Sequence, residues 1–514
     1  MSNIITDNFF SRTLGVSAAI LTALAVKYPD RALFDEHREG ISHKKGWPIV
    51  GSLPTIVGNA ENMHEFLLSG FVSMDTLTTT ASALGMPRAI ATVDPRNIEH
   101  ILKNNFENYA KGPQLNAATG DLFGHGIFNA NGEQWKYQRK TASHIFNIKN
   151  FRDLFTESVL VFVKEIDVMF KGVLDKAAVT NQVVDFHDLM FKFTLDSFIL
   201  LGFGVQLHAL DSQEKVPFAA SFDACQLNSF QRFINPLWRV TEPIATLLQP
   251  WKKSIKQHLE TVDGFANQVI EGRRKQLADG ETHHRDLLSR FMDAQNEHGE
   301  LLSNKELRDI VLNFVIAGRD TTAQALSWTF YMLLLHPRVE SKLLKEVLEN
   351  ITDDVADDPV ALYEAIKNMT YAHAVFYEVL RLYPSVPNNQ KYALNDDVWP
   401  DGTHIRKGDY VMWCPYAQGR CTKVWGPDAR EFKPERWITA EGDLRRESQG
   451  QWPAFHAGPR VCLGQNLATL EALVAMAFLV KRYKFRLVSG QNITYQVSLT
   501  LPMKEGMKVY VEHR

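Results

Sequence analysis

Phe455-His456-Ala457-Gly458-Pro459-Arg460-Val461-Cys462-Leu463-Gly464 surrounds Cys462 with residues suited to metal chemistry. Cysteine ligates iron only as the thiolate, so this segment must keep a sulfur anion where backbone N–H groups stabilise it. Gly458 permits a tight turn at positive φ, and Gly464 admits close approach of backbone or macrocycle. Phe455 would shield the sulfur from water, and Arg460 presents a fork of donors that matches a haem propionate. Gln465 to Lys481 is apolar at helical spacing, which sets Cys462 just before a helix whose N-terminal dipole favours an anion. Taken alone, Cys462 could equally be a buried cysteine in a Gly/Pro loop.

A second stretch breaks the rules of its own helix. Ser303-Asn304-Lys305-Glu306 has the form of a capping box, and Leu307, Ile310, Val311, Phe314 and Val315 recur at helical spacing behind it. The run then meets Ala317-Gly318-Arg319-Asp320-Thr321-Thr322. Glycine costs ~1 kcal/mol against alanine in a helix, and threonine diverts hydrogen bonds from the ladder. Such a local violation marks a functional site, the alternative being a kink with Asp320 in a salt bridge. Trp135 and Arg139 share a helix face at i and i+4, and Glu378 and Arg381 form an i,i+3 pair.

Together these motifs resemble the cytochrome P450 superfamily. The pattern F-x-x-G-x-R-x-C-x-G around Cys462 is similar to its haem-binding signature, and Ala317 to Thr322 to its oxygen-binding groove. The resemblance implies a mainly α fold with a smaller β-rich part, haem b ligated by Cys462, and haem contacts from Arg460, Trp135, Arg139, Phe455, Gly458, Gly464, Ala317, Gly318 and Lys391. Lys391 departs from the arginine that relatives commonly carry there, so it brings a point charge where they bring a fork. The resemblance further implies that Thr321 and Asp320 deliver protons to iron-bound oxygen. Glu378 and Arg381 would form a buried structural lock with Arg436 of Phe432-Lys433-Pro434-Glu435-Arg436-Trp437. Asn313 to Ala323, Arg381 to Pro387 and His456 to Arg460 look most like fungal and plant fatty-acid and alkane hydroxylases. The implied reaction is insertion of one oxygen atom of O2 into a C–H bond, at or near the terminal carbon of long-chain fatty acids. Alternatives are hydroxylation of steroids or other polycyclic lipids, a hydroperoxide isomerase or peroxygenase, and a non-catalytic haem sensor or lipid binder.

The elements that must position these residues fill a chain of 514 residues with 45% hydrophobic content. That is enough for a large core. A net charge of −3 gives no nucleic-acid footprint, and four cysteines without paired spacing point to a reducing compartment. Residues 1–45 read as a membrane anchor and linker, and 46–514 as the catalytic domain. Thr13 to Val26 is uncharged and mostly apolar, and as a helix it spans about 21 Å, short of the ~30 Å hydrocarbon core. It therefore reads as a short signal-anchor or an interfacial helix, with a cleaved signal peptide as the other option. Gly46 to Pro54 resembles the hinge of microsomal members, which implies the endoplasmic reticulum membrane with the catalytic domain facing the cytosol. No flavin or nicotinamide domain is present, so electrons would come from NADPH through a diflavin NADPH-cytochrome P450 reductase, with cytochrome b5 as a second candidate donor. Lys136 and Lys140 are candidate contacts for an acidic redox partner. Lys111 to Asn131 reads as a loop over the haem, Phe218 to Trp251 as a lid, and Asp279 to Arg285 as an exposed connector.

Overall fold

A computed structural model of the chain describes residues 2–143, 151–212, 216–280, 286–296 and 298–514. The part of the expected connector at 281–285, with His283 and His284, lies outside the described residues. Helices dominate: α1 (Ser2–Lys27), α2 (Met63–Ser73), α3 (Pro113–Phe123), α4 (Gly132–Ser143), α5 (Phe186–Phe203), α6 (Pro217–Ile234), α7 (Trp238–Leu248), α8 (Asn304–Val315), α9 (Thr321–Leu335), α10 (Thr370–Leu382) and α11 (Gln465–Arg482) matter for the site. The main sheet has six strands, β1 (Ser42–His43), β2 (Thr78–Ala81), β3 (Ala89–Thr92), β4 (Tyr109–Ala110), β5 (Asn389–Ala393) and β6 (Tyr410–Trp413), in the spatial order β1-β2-β3-β6-β5-β4. β1 runs parallel to β2 and β3 to β6, and the other neighbours are antiparallel. A smaller antiparallel sheet joins Tyr483–Leu487, Lys508–His513 and Val184–Asp185.

The core is built where apolar helix faces meet. α5, α9 and α11 are buried over most of their length, as their nearly uninterrupted apolar sequences require. Trp328 of α9 stacks on Tyr383 with ring centroids 4.3 Å apart, and its indole N–H donates to the Leu501 carbonyl at 2.9 Å. α8 begins with the expected capping box, in which Ser303 and Glu306 satisfy each other's backbone N–H groups.

Two expectations need correction. The stretch from Lys111 to Asn131 is not a loop throughout, because Pro113 opens α3 and Gly124, at φ +51°, ends it. Proline at the first helical position and glycine after the last are ordinary helix boundaries. A Cβ on Gly124 would also meet the Asp309 carboxylate within 2.0 Å, so the turn and the packing both demand glycine. Residues 28–45 are not a free linker either. Leu33 N–H donates to the Ile49 carbonyl at 2.8 Å, Arg38 pairs with Asp409, Arg88 with Asp35, and β1 extends the sheet. The catalytic body therefore begins before residue 46. α1 carries exposed Leu14, Val16, Ile20, Leu21 and Val26, and no described helix is long and apolar enough to cross a membrane.

Candidate active site

The Cys462 loop closes on itself before α11 begins. Cys462 N–H donates to the Phe455 carbonyl at 2.9 Å, and Gly458 sits at φ +61° with Leu102 O only 2.1 Å from where a Cβ would stand. Gly458 is thus required by both conformation and space. Gly464 serves as the N-cap of α11, and among the described residues no atom lies within 4 Å of its would-be Cβ, which leaves room for the expected close approach. Its N–H and the Arg139 guanidinium favour the thiolate of Cys462, while burial pushes the thiol up. Sequence reasoning missed His456, held at φ +65° and ψ −163°. That region is almost reserved for glycine, and strain of this kind gathers at functional sites.

Cys225, Cys414 and Cys421 are buried in the protein, whereas the Cys462 sulfur is accessible. What it faces is a cavity of about 600 Å³, walled also by Phe455, Ala317, Gly318, Thr321 and Phe314. Beside the sulfur the chain gathers positive charge. Arg139 and Arg460 line the cavity with Lys111, and Lys391 of β5 stands next to them, its ammonium buried without a hydrogen-bond partner. Burial, with Arg460 nearby, pulls the Lys111 ammonium down to about 7, and burial with Lys111 lowers Lys391 well below its ordinary value. No carboxylate pairs with any of the four among the described residues. Arg139 donates to the Val461 carbonyl at 2.7 Å, and Arg460 donates to the Ala130 carbonyl at 2.7 Å with its guanidinium 4.4 Å from the Trp135 ring. Trp135 and Arg139 do share a face, and both reach this cluster. Lys136 points away and pairs with Glu133 at 2.7 Å.

Another part of the cavity wall is the break between α8 and α9. Ile316–Asp320 forms a π-turn, the widened helical turn often found at functional sites. The Thr321 hydroxyl donates to the Ala317 carbonyl at 2.7 Å. Gly318 faces the cavity and also admits α5, because a Cβ there would stand 1.9 Å from the Phe198 ring. Gly318→Ala is expected to lower stability by about 1–3 kcal/mol through overpacking, measured by denaturant unfolding.

Asp320 turns away from Thr321 into a buried network. Its carboxylate accepts from Gln226 Nε2 at 2.7 Å and from Arg319 Nη1 at 3.1 Å, and Arg319 reaches Asp223 Oδ1 at 2.8 Å. Asp223 is half exposed, so the network runs from solvent to the buried Asp320 carboxylate. Burial raises the Asp320 carboxyl to about 6 against the pull of Arg319. Arg319, Asp223 and Gln226 were not singled out from sequence. An arginine inside an apolar helical run was the available signal.

Behind the site, Glu378 and Arg381 form a fully buried bidentate pair, with Arg381 Nε and Nη2 each 2.7 Å from a carboxylate oxygen. The expected third member, Arg436, pairs with Glu378 at 3.5 Å and also bonds Asp428 at 2.9 Å. The Trp437 indole N–H takes the closer place on Glu378 at 2.9 Å.

Comparison with known proteins agrees with this arrangement. The family model described as Cytochrome P450 matches residues 42–507. The chain is 38% identical to Cytochrome P450 86B1 of Arabidopsis thaliana over 485 residues, covering 91% of this chain and 85% of that protein. It is 36% identical to Cytochrome P450 704B1 of the same plant, over 93% of this chain and 97% of the relative. Cytochrome P450 monooxygenase cyp1 of Mycosarcoma maydis is 33% identical, over 95% of this chain and 77% of the relative.

Proposed function

The chain belongs to the cytochrome P450 family and is a monooxygenase, and from that premise we propose that it hydroxylates long-chain fatty acids at or near the terminal carbon. The observation that carries this reading is that an accessible cysteine and a π-turn both line one largely apolar cavity. Family membership implies haem, dioxygen and electrons from a redox partner. The residues fit that cofactor: a thiol at the cavity floor, and beside it four cations without a carboxylate, one of them orphaned, which suits a dianionic group. Cys462 would ligate the iron of haem b, and Lys111, Arg139, Lys391 and Arg460 would hold its propionates. Bound there, haem supplies the activation of dioxygen, with thiolate electron density favouring O–O cleavage.

The protein's own residues do the rest. Gly464 N–H and the loop carbonyl of Phe455 fix the sulfur, Phe455 keeps water from the sulfur and Phe314 keeps it from the reacting carbon. Arg319 and Gln226 hold the Asp320 carboxyl in place, and Asp320 is the buried group that holds and releases a proton for delivery toward the cavity. Because Asp320 is protonated below about 6 and ionised above it, proton delivery is expected to weaken as pH rises through that value. Asp320→Asn should lower turnover by about 10²-fold and remove that limb of the pH–rate profile. Steady-state turnover from pH 5 to 9 in both proteins checks this. In stability the sign is the same: a carboxyl raised in the folded state binds more protons than the unfolded chain, so Asp320's contribution falls as pH rises from its ordinary range through about 6.

NADPH-cytochrome P450 reductase would be the electron donor, with cytochrome b5 as a second. The endoplasmic reticulum membrane, with the catalytic domain facing the cytosol, would be the site. Exposed apolar side chains support a membrane surface: Leu237, Val240, Ile244, Leu247, Leu248 and Trp251 on and around α7, and Trp47, Val57 and Val72 near α2. Six exposed apolar side chains along one short helix and its ends exceed the scattered apolar residues of ordinary surfaces. The test of the substrate is a titration of haem-loaded protein with fatty acids, alkanes and steroids, read by spin-state shift, followed by product analysis with NADPH and reductase. A response to steroids alone would overturn the fatty-acid reading, and turnover with hydroperoxide but not with reductase would move the enzyme to isomerase or peroxygenase chemistry.

A further inference from the structure

The cavity holds one more cation, and it is far from the sulfur. Six other ionisable residues line the cavity: Lys111, Arg139, His456, Arg460 and Cys462 cluster at the sulfur's end, and Glu471 lies behind Thr322. Lys44 stands apart from them. It continues β1, its N–H donating to the Thr80 carbonyl at 2.9 Å, while its ammonium lies 3.7 Å from the centre of the Phe66 ring and packs over Gly70. Phe66 and Gly70 belong to α2, so the charge is pressed between a helix and the sheet edge.

This ammonium is half-buried, and among the described residues no hydrogen bond or ion pair engages it. Burial lowers its pKa with no carboxylate acting in the other direction. A cation taken out of water without a counterion is unfavourable, and a ring face compensates only in part. A bound anion would complete the site.

Lys44 continues β1 at one edge of the main sheet, whereas Lys391 of the sulfur's cation cluster lies on β5, four strand positions away, or about 19 Å across the strands at ~4.8 Å each. The two ends of the cavity are therefore well separated, and only a long chain held at Lys44 would reach toward the sulfur's end. The walls between are apolar, among them Phe71, Met74, Phe230 and Phe233. Trp47, three residues from Lys44, and Val72, two residues from the Gly70 on which the ammonium packs, are both exposed, so this end of the cavity lies next to the surface and forms its mouth.

We infer that Lys44 holds the carboxylate of the substrate at the cavity mouth and thereby decides which carbon lies beside Thr321. The inference rests on the fatty-acid reading proposed above. Lys44 is a positioning residue: it fixes the far end of the chain and touches no reacting atom.

The experiment compares wild type, Lys44→Met and Lys44→Arg, each loaded with haem and checked for the carbon monoxide band of a thiolate-ligated iron. Each is titrated with a saturated long-chain fatty acid, its methyl ester and the alkane of equal length, and the hydroxylated positions are mapped. Lys44→Met should weaken binding of the acid by about tenfold or more, leave ester and alkane unchanged and spread hydroxylation to inner carbons, while Lys44→Arg retains affinity. If Lys44→Met binds the acid and places the hydroxyl as wild type does, the anchor is wrong and the fatty-acid reading stands. Equal weakening of acid and ester would reduce Lys44 to a packing residue and likewise overturn the inference. Wild-type protein that responds to polycyclic lipids and not to fatty acids would remove both.

Discussion

Cys462→Ser is expected to abolish monooxygenase turnover, by at least about three orders of magnitude, or ~4 kcal/mol in barrier. A serine hydroxyl is far too weak an acid to offer an anion at this position, so the electron density that favours O–O cleavage is lost even where haem is retained. The carbon monoxide complex should lose its thiolate band in the same protein. Cys225→Ser, Cys414→Ser and Cys421→Ser serve as controls and should keep band and turnover. All three are buried in the protein, and burial pushes the Cys225 and Cys414 thiols up to about 12. Of the four, Cys462 alone lines an open cavity. A variant at Cys462 that kept the thiolate band would require another sulfur ligand and would overturn the site.

Much of this contrast was legible before any coordinates, because it rests on local chemistry. A glycine that must take positive φ, a cysteine at the start of an apolar helix and a Ser/Glu capping box are all written within ten residues of the feature they create. Gly458, Cys462 and Ser303 therefore read correctly. α3 was missed although Pro113 and Gly124 mark its ends, since its short, mixed composition offers little apolar periodicity to compete with a loop reading. The proton path could not be read in the same way. Asp223 and Gln226 lie nearly a hundred residues from Arg319 and Asp320, and only the packing of α6 on the break between α8 and α9 brings them together. Lys44 is a further case. Its sequence neighbourhood, His43-Lys44-Lys45, looks like solvated linker, and only the approach of α2 turns one of those lysines inward.

Arg381→Ala is expected to cost about 3–5 kcal/mol of folding free energy, against a total of about 5–15 kcal/mol for a protein, so that variant should unfold or fail to take up haem at 37 °C. The size of the effect follows from what the guanidinium serves. Beyond Glu378 it donates to the carbonyls of Gly419, Ala429 and Glu431, the last two at 2.6 and 2.9 Å, so its removal strands one buried carboxylate, two buried carbonyls and a third that is partly exposed. Arg381→Lys should recover little, because an ammonium has three donors on a flexible stem and cannot span a bidentate carboxylate and three separate carbonyls. Arg436→Ala should be milder, since its contact with Glu378 is marginal and its main partner, Asp428, is partly exposed. Trp437→Phe tests the rest of the arrangement: it keeps the ring packed and removes only the indole donor to Glu378, a loss of about 1.5–3 kcal/mol for a hydrogen bond to a charged group. Denaturant midpoints in the order wild type, Arg436→Ala or Trp437→Phe, then Arg381→Ala check the argument. An Arg381→Ala protein as stable as wild type would show that the pair is dispensable, because a buried ion pair can always be weaker than the apolar contact that might replace it. The expected outcome here is the reverse, for alanine brings no side chain to fill the space and leaves Glu378 charged.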